Sequence, residues 1–416
     1  MARPAADPAA TPSATDRVPL LTIAREWGRI GCIGFGGPPA HIALLRTLCV
    51  EHRGWISAAE FEDGIAATNM LPGPASTQLA IFCAWRLRGP LGALVGGACF
   101  IVPGLIVILA LSAVVLAARP PLWIKGASLG ADAAVPVVAL SAALSLAPAS
   151  WRRVGAPRPG RVRWACYLVS GGLAAGLIGP FLVLILVGCG LLELLVRTAP
   201  PLWHRARARG AARRGAAPRG ALLAEPAVLL KLAGPAVAAG GLLPVAWVAF
   251  KVGALSYGGG FVIIPLMQHD AVHTYHWMTS AQFLSAVALG QVTPGPVVQT
   301  VAVVGYAAAG VGGALLASLV AFTPSFAIVL VGGSRFGQLR GNARVQAFLT
   351  GAGPAAIGAI AGATIPLGLA LSHPWQLAVL ALAAAWLVGL RRGVVAAIVG
   401  AGALGVIAAL AGAPVT

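Results

Sequence analysis

The chain has 416 residues, of which 58% are apolar and 10% charged, with a formal net charge of +18. Soluble globular domains carry about 25% charged residues, and a mean hydropathy of +0.88 excludes that class. The basic excess does not signal a nucleic-acid partner. Twelve of the 29 Lys and Arg residues lie between Arg152 and Arg219 against one acid, Glu193, in two loops without a folded base-reading module.

Residues 1–19 are rich in Ala, Pro, Thr and Asp and have no apolar core segment, so they read as a disordered tail rather than a signal peptide. Residues 20–197 form a first apolar repeat, with charge-free runs such as 89–118 and 133–150. Runs of this length read as membrane-spanning helices, and their continuity excludes the alternating segments of a β-barrel. A basic linker, 198–226, follows; loops of this kind are retained on the cytoplasmic side. Residues 227–245 read as a connecting span and 246–416 as a second repeat. The expected fold is an all-α polytopic membrane protein with about 11 to 13 spans or half-spans. Cys32, Cys49, Cys83, Cys99, Cys166 and Cys189 form no C-x-x-C pair and read as small core residues.

The repeat appears when the chain is slid along itself until Gly31 falls on Gly253. Gly36 and Gly37 then meet Gly258 and Gly259, Trp55 meets Trp277, Phe61 meets Phe283, and Pro72-Gly73-Pro74 meets Pro294-Gly295-Pro296. With one residue less offset, Gly89, Gly92 and Pro103 meet Gly310, Gly313 and Pro324. Arg46, Arg53, Arg86 and Arg88 flank the motifs of the first half, while their counterparts are not basic. The second half instead carries Arg335, Arg340, Arg344, Arg391 and Arg392 in later loops. Opposite charge bias on equivalent loops implies two homologous halves as an inverted-topology repeat with broken helices.

Four Gly/Pro breaks punctuate the halves, at 34–39, 72–74, 256–260 and 294–296. Backbone polar groups cannot be left bare in hydrocarbon, so such breaks belong where they are buried in protein or line a polar cavity. Paired breaks at matching positions point to a substrate site, and freed N–H groups at a half-helix start suit an anion. The expected substrate-binding residues are therefore Gly36, Gly37, Pro72, Gly73, Pro74, Gly258, Gly259, Pro294, Gly295 and Pro296. Neutral hydrogen-bonding side chains nearby join them: Asn69, Thr77, Gln78, Gln291 and Gln299, with Thr68, Ser76, Thr293 and Thr300 beside. Arg29 aligns with Lys251, and each either pairs with substrate or anchors its helix at the interface.

The motifs GFGGPPAHIALL, GWISAAEF, NMLPGPASTQLA, LSYGGGFVIIPLM and GQVTPGPVVQT closely resemble those of the chromate ion transporter family in its long, two-domain form. The resemblance covers most of both halves. It implies efflux of chromate, a tetrahedral dianion shaped like sulfate, driven by the ion gradient of the inner membrane. It also implies two antiparallel halves. One departure is that Gly260-Phe261 stands where the first half has Pro38-Pro39.

A gradient-driven transporter needs a group whose charge can change. Glu60 and Asp63 are the proton-coupling candidates; their repeat mates are Gln282 and Ser285, so ionisable chemistry near the breaks is expected in the first half alone. Asp132 is next in line. His41 reads as a satisfied interface histidine or a weaker proton acceptor. The expectation includes no cofactor and no metal; the partners are the oxyanion, the lipid bilayer and, as an open option, a second copy in a homodimer. Sulfate transport and a passive anion channel stay open. A membrane enzyme is disfavoured, since no H-E-x-x-H, C-x-x-C or G-x-S-x-G motif occurs.

Overall fold

A computed structural model describes residues 18–69, 71–117, 119–155, 158–178, 182–198, 241–256, 260–333, 336 and 342–415. Expectations for Gly258, Gly259, nearly all of the tail and linker, and most of the connecting span fall outside the described residues. Among the described residues there are 14 α-helices and no strand.

In the first half these are α1 (Leu20–Ile33), α2 (Pro38–Arg46), α3 (Ala58–Thr68), α4 (Ala75–Val115), α5 (Leu122–Val154), α6 (Arg158–Leu173) and α7 (Leu182–Thr198). The second half has α8 (Leu242–Leu255), α9 (Ile263–Gln268), α10 (Ser280–Val292), α11 (Thr300–Gly332), α12 (Ala343–Leu369), α13 (Pro374–Ala384) and α14 (Val394–Leu410). The order repeats in detail. A π-helical turn follows α2 at Thr47–His52 and α9 at His269–Thr274; another follows α6 at Ala174–Ile178 and α13 at Ala385–Gly389. The starts of α3 and α10 are capped alike. The Ser57 hydroxyl accepts from the Glu60 N–H, and the Thr279 hydroxyl from the Gln282 N–H.

Helix lengths show which segments can cross a bilayer. Four stretches are long and apolar enough: Ala75–Val115, Leu122–Val154, Val297–Gly332 and Ala343–Leu369. A straight α4 of 41 residues would extend about 60 Å, twice the hydrocarbon thickness. It is not straight. Arg88 (φ −146°) and Gly89 (φ 63°) leave the helical region, and so do Ala309 (φ −152°) and Gly310 (φ 61°) in α11. Each break separates a short half-helix from a full span. α1 and α8, at 14 residues each, reach only about 21 Å. The elements bearing the Gly/Pro breaks are thus half-span pieces whose ends fall inside the protein.

The halves interlock by exchange. α1 packs on α4 and α8 on α11, each within its own half. α5, however, packs on α13 and α14 of the second half, while α12 packs on α6 and α7 of the first. α4 and α11 meet each other. This reciprocity describes a two-fold relation between halves. Small residues allow the close approach, as membrane helices require in the absence of a hydrophobic driving force between them. A Cβ on Gly31 would lie 2.7 Å from the Phe100 carbonyl, and one on Gly126 2.5 Å from the Gly405 carbonyl. Gly31 and Gly253, aligned by the repeat, are thereby packing glycines.

Candidate functional site

The four breaks meet in two crossings related by the repeat. In the first, the Gly73 N–H donates to the Ser256 carbonyl at 2.6 Å. In the second, the Gly295 N–H donates to the Gly34 carbonyl at 3.0 Å. Gly34 and Ser256 are themselves repeat mates, so each half uses its Pro-Gly-Pro glycine to bind the break of the other. The expectation that these two N–H groups face an anion is corrected: both are engaged across the interface. The uncapped starts are a different matter. Pro74 precedes α4 and Pro296 precedes the short 3-10 turn Val297–Gln299, neither with a side-chain cap, and the first N–H groups of such a turn have no partner within it.

Around the first crossing, the Gln78 amide donates to the Pro72 carbonyl at 2.7 Å, and a Cβ on Gly73 would lie 3.1 Å from Ser325 Oγ. Around the second, His41 is fully buried. Its Nε2 lies 2.9 Å from the Gly34 carbonyl and its Nδ1 3.2 Å from Ser76 Oγ. A carbonyl only accepts, so Nε2 carries a proton and a neutral ring accepts from Ser76 at Nδ1. The ring stands edge-on to Phe100. His41 is therefore an integral part of the crossing, and its repeat mate is the apolar Ile263.

Several buried polar atoms in these segments have no partner among the described residues: Thr77 Oγ1, Gln78 Oε1, Ser256 Oγ, Gln291 Nε2, Gln299 Nε2 and Ser325 Oγ. Each such group costs about 1–3 kcal/mol when left unsatisfied. Gln299 Oε1 is used, by the Ser318 hydroxyl at 3.4 Å, which turns its amide nitrogen free.

Other expected residues stand apart. Arg29 is exposed and lies 3.9 Å from Glu26, which is bound more closely by Arg53 at 2.9 Å. Lys251 is bonded to the buried Asp270 at 2.5 Å. Asp270 was missed in the sequence because its mate is Leu48; it overturns the expectation that ionisable chemistry near the breaks belongs to the first half alone. Glu60 sits in the first turn of α3 and pairs with Arg86. Asp63 lies one turn further, half-buried. Gly36 and Pro72 are exposed; Gly37, Pro74, Pro294 and Pro296 are buried.

Asn69 lines a cavity of ≈ 200 Å³ together with Ser150, Arg153, Val262 and Gly353. Asn69 lies just before the first Pro-Gly-Pro, and Val262 just after the break that ends at Gly260. Arg153 is the cation in this lining, placed there by the last turn of α5. Its position in a basic loop hid it among charges that set orientation.

Half-span helices broken in register, crossing reciprocally between two interlocked halves, define a multi-pass membrane transport protein rather than an enzyme. The chain belongs to the chromate transporter family: the family's model matches residues 21–194 and 243–406, one match per half. It is 30% identical over 377 residues to a probable chromate transport protein of Synechococcus elongatus, covering 89% of this chain and 91% of that one. It is 32% identical over 340 residues to the chromate transport protein of Cupriavidus metallidurans, covering 82% and 80%. The chromate transport protein of Pseudomonas aeruginosa is 32% identical over 343 residues, covering 82% and 79%. No solved structure matches the chain.

Proposed function

We propose that this protein exports chromate across the inner membrane, with the two halves in opposite orientation, the linker 198–226 cytoplasmic, and the proton gradient as the driving force. The observation that carries the substrate reading is the set of buried, unpartnered donors at the crossings. Thr77, Ser256 and Ser325 offer hydroxyls, and Gln291 and Gln299 offer amide nitrogens. A tetrahedral oxyanion accepts from many directions, and neutral donors bind it without trapping it. The names of the relatives supply the choice of chromate among oxyanions. The cavity at Asn69 and Arg153 serves as the vestibule that draws the dianion toward the breaks, by the salt-sensitive pull of an exposed cation on an approaching anion.

Outward movement of a dianion is downhill in an inside-negative membrane. Two charges across 100 mV gain about 4.6 kcal/mol, so efflux is the direction the potential favours, and a coupled proton adds to it. Chromate flux into everted vesicles tests the reading. Uptake should saturate, compete with sulfate, and collapse with a protonophore. Uptake that follows the potential but ignores collapse of the pH gradient would leave a passive channel; sulfate transport without chromate transport would replace the substrate.

A further inference from the structure

Asp132 lies in α5, a helix long enough to span the bilayer, at 2% exposure. Among the described residues, no basic side chain lines the cavity it borders. One carboxyl oxygen, Oδ2, accepts from the Ser285 hydroxyl at 2.8 Å; the other, Oδ1, is buried without a partner. The backbone adds a second deficit. Pro136 stands four residues on, inside the helix, and has no N–H to give to the Asp132 carbonyl. Asp132 thus keeps a carboxyl oxygen with no donor among the described residues and a backbone carbonyl without its usual helical donor.

Asp132 borders a cavity of ≈ 380 Å³ whose wall, apart from the Ser128 and Ser285 hydroxyls, is mostly apolar: Leu111 and Val115 from α4, Ala288 from α10, Ile398 and Gly402 from α14. No other residue lining it is titratable or charged. Beyond the lining, Lys125 lies two turns earlier on α5, and Arg163 and Tyr167 of α6 are bound to Glu193. A bare carboxylate here would need two or three donors to be tolerated; it has one. A bound proton satisfies the site with no further ligand, whereas a metal cation needs about six oxygens, more than Asp132, Ser285 and Ser128 supply in this lining.

Ser285 connects this site to transport. It sits in α10, whose last residue, Val292, leads directly into Thr293-Pro294-Gly295, the segment of the second crossing. A change in the charge of Asp132 alters a hydrogen bond that ties α10 to α5.

We propose that Asp132, with Ser285, is the proton-binding site that couples anion export to the proton gradient, in place of Glu60 and Asp63. The inference rests on the proton-driven reading above. The test uses the purified full chain in sodium-free proteoliposomes, with chromate flux measured under an imposed pH gradient and as equilibrium exchange without one. Asp132→Asn should lose gradient-driven accumulation at least tenfold while exchange persists, and Ser285→Ala should shift the pH midpoint of flux. Asp63→Asn and Glu60→Gln should keep gradient-driven accumulation.

Should Asp132→Asn not fold, the wild-type protein answers with dicyclohexylcarbodiimide. A protonated carboxyl adds across the reagent's C=N bond, its proton passing to nitrogen and its oxygen to carbon, and the adduct rearranges to a stable N-acylurea. Peptide mass mapping should place the adduct on Asp132, in step with the loss of gradient-driven flux. An Asp132→Asn protein that accumulates chromate with the wild-type pH dependence overturns the assignment, as does an unmodified Asp132 or flux driven by sodium. If the wild type itself shows no gradient-driven flux, the proton-driven reading fails and the assignment with it.

Discussion

The amide of Gly73 is bonded to the carbonyl of Ser256 in the opposite half, and the repeat mates Gly295 and Gly34 make the same bond in reverse. Two hydrogen bonds thus close the breaks of each half against the other. A transporter that alternates its access must move the halves relative to each other, and these bonds lie where that motion has to be accommodated.

The glycines at these crossings should differ in tolerance. Both have positive φ, 124° at Gly73 and 92° at Gly295, where any side chain is strained by about 1–3 kcal/mol. A Cβ on Gly73 would also overlap the Gln78 amide, whereas at Gly295 the nearest atoms are 3.8 Å away. Gly73→Ala should reduce vesicle chromate flux about tenfold or more and lower Tm in detergent; Gly295→Ala should be milder in both. Equal effects would mean that the Gln78 contact yields freely.

The breaks and the repeat were legible in the sequence because Gly and Pro act locally on φ and on N–H supply. What the breaks do was not legible. The Gly73–Ser256 bond joins residues far apart in the chain, so the donors expected to face an anion prove to be spent on the fold. Asp270 and Arg153 escaped for related reasons. Asp270 matters through its bond to Lys251, which is a tertiary fact, and Arg153 through the cavity it borders rather than through its loop.

The Lys251–Asp270 pair decides between an anchor and a substrate ligand. Both side chains are largely shielded, at 19% and 9% exposure. Removing one partner of a buried pair strands the other charge, at a cost of about 3–5 kcal/mol. Lys251→Met should therefore lower Tm sharply, and Lys251→Met combined with Asp270→Leu should recover most of the loss. If chromate affinity of the double variant equals that of the wild type, Lys251 is structural.

The unpartnered donors make the opposite stability forecast. Thr77→Val keeps shape and removes a buried hydroxyl that has no partner, so Tm should hold or rise. Chromate affinity should fall about three- to tenfold, the value of one or two neutral hydrogen bonds. Unchanged affinity, read by titrating chromate into purified protein, would remove Thr77 from the site.

Arg153 should set capture more than turnover. Arg153→Gln keeps a polar chain at the cavity it shares with Asn69 and Ser150 but removes the charge. KM for chromate should rise several-fold with little change in maximal rate, and the salt dependence of KM should weaken. Arg29→Gln provides the contrast. Its guanidinium is 66% exposed and shares Glu26 with Arg53, so its loss should change both parameters less than twofold.

The orientation of the halves can be read directly at the twin kinks. Pro90 and Val311 follow Gly89 and Gly310, whose backbones are nearly superimposable at φ 63°, ψ −151° and φ 61°, ψ −151°. Both positions are exposed. If the two-fold axis lies in the membrane plane, the kinks emerge on opposite faces; if it lies along the membrane normal, they emerge on the same face. The charge pattern favours the first case. Arg86 and Arg88 immediately precede the first kink, while Ala307 to Ala309 hold the equivalent place in the second half. Single cysteines at Pro90→Cys and Val311→Cys, in a chain whose six native cysteines are replaced by serine or alanine, should react with an impermeant maleimide from opposite sides. Labelling of Pro90→Cys should occur in everted vesicles and that of Val311→Cys in intact cells, because the arginine-flanked kink belongs on the cytoplasmic face. Reaction of both from one side would make the repeat parallel and leave the basic loops to be explained by something other than orientation.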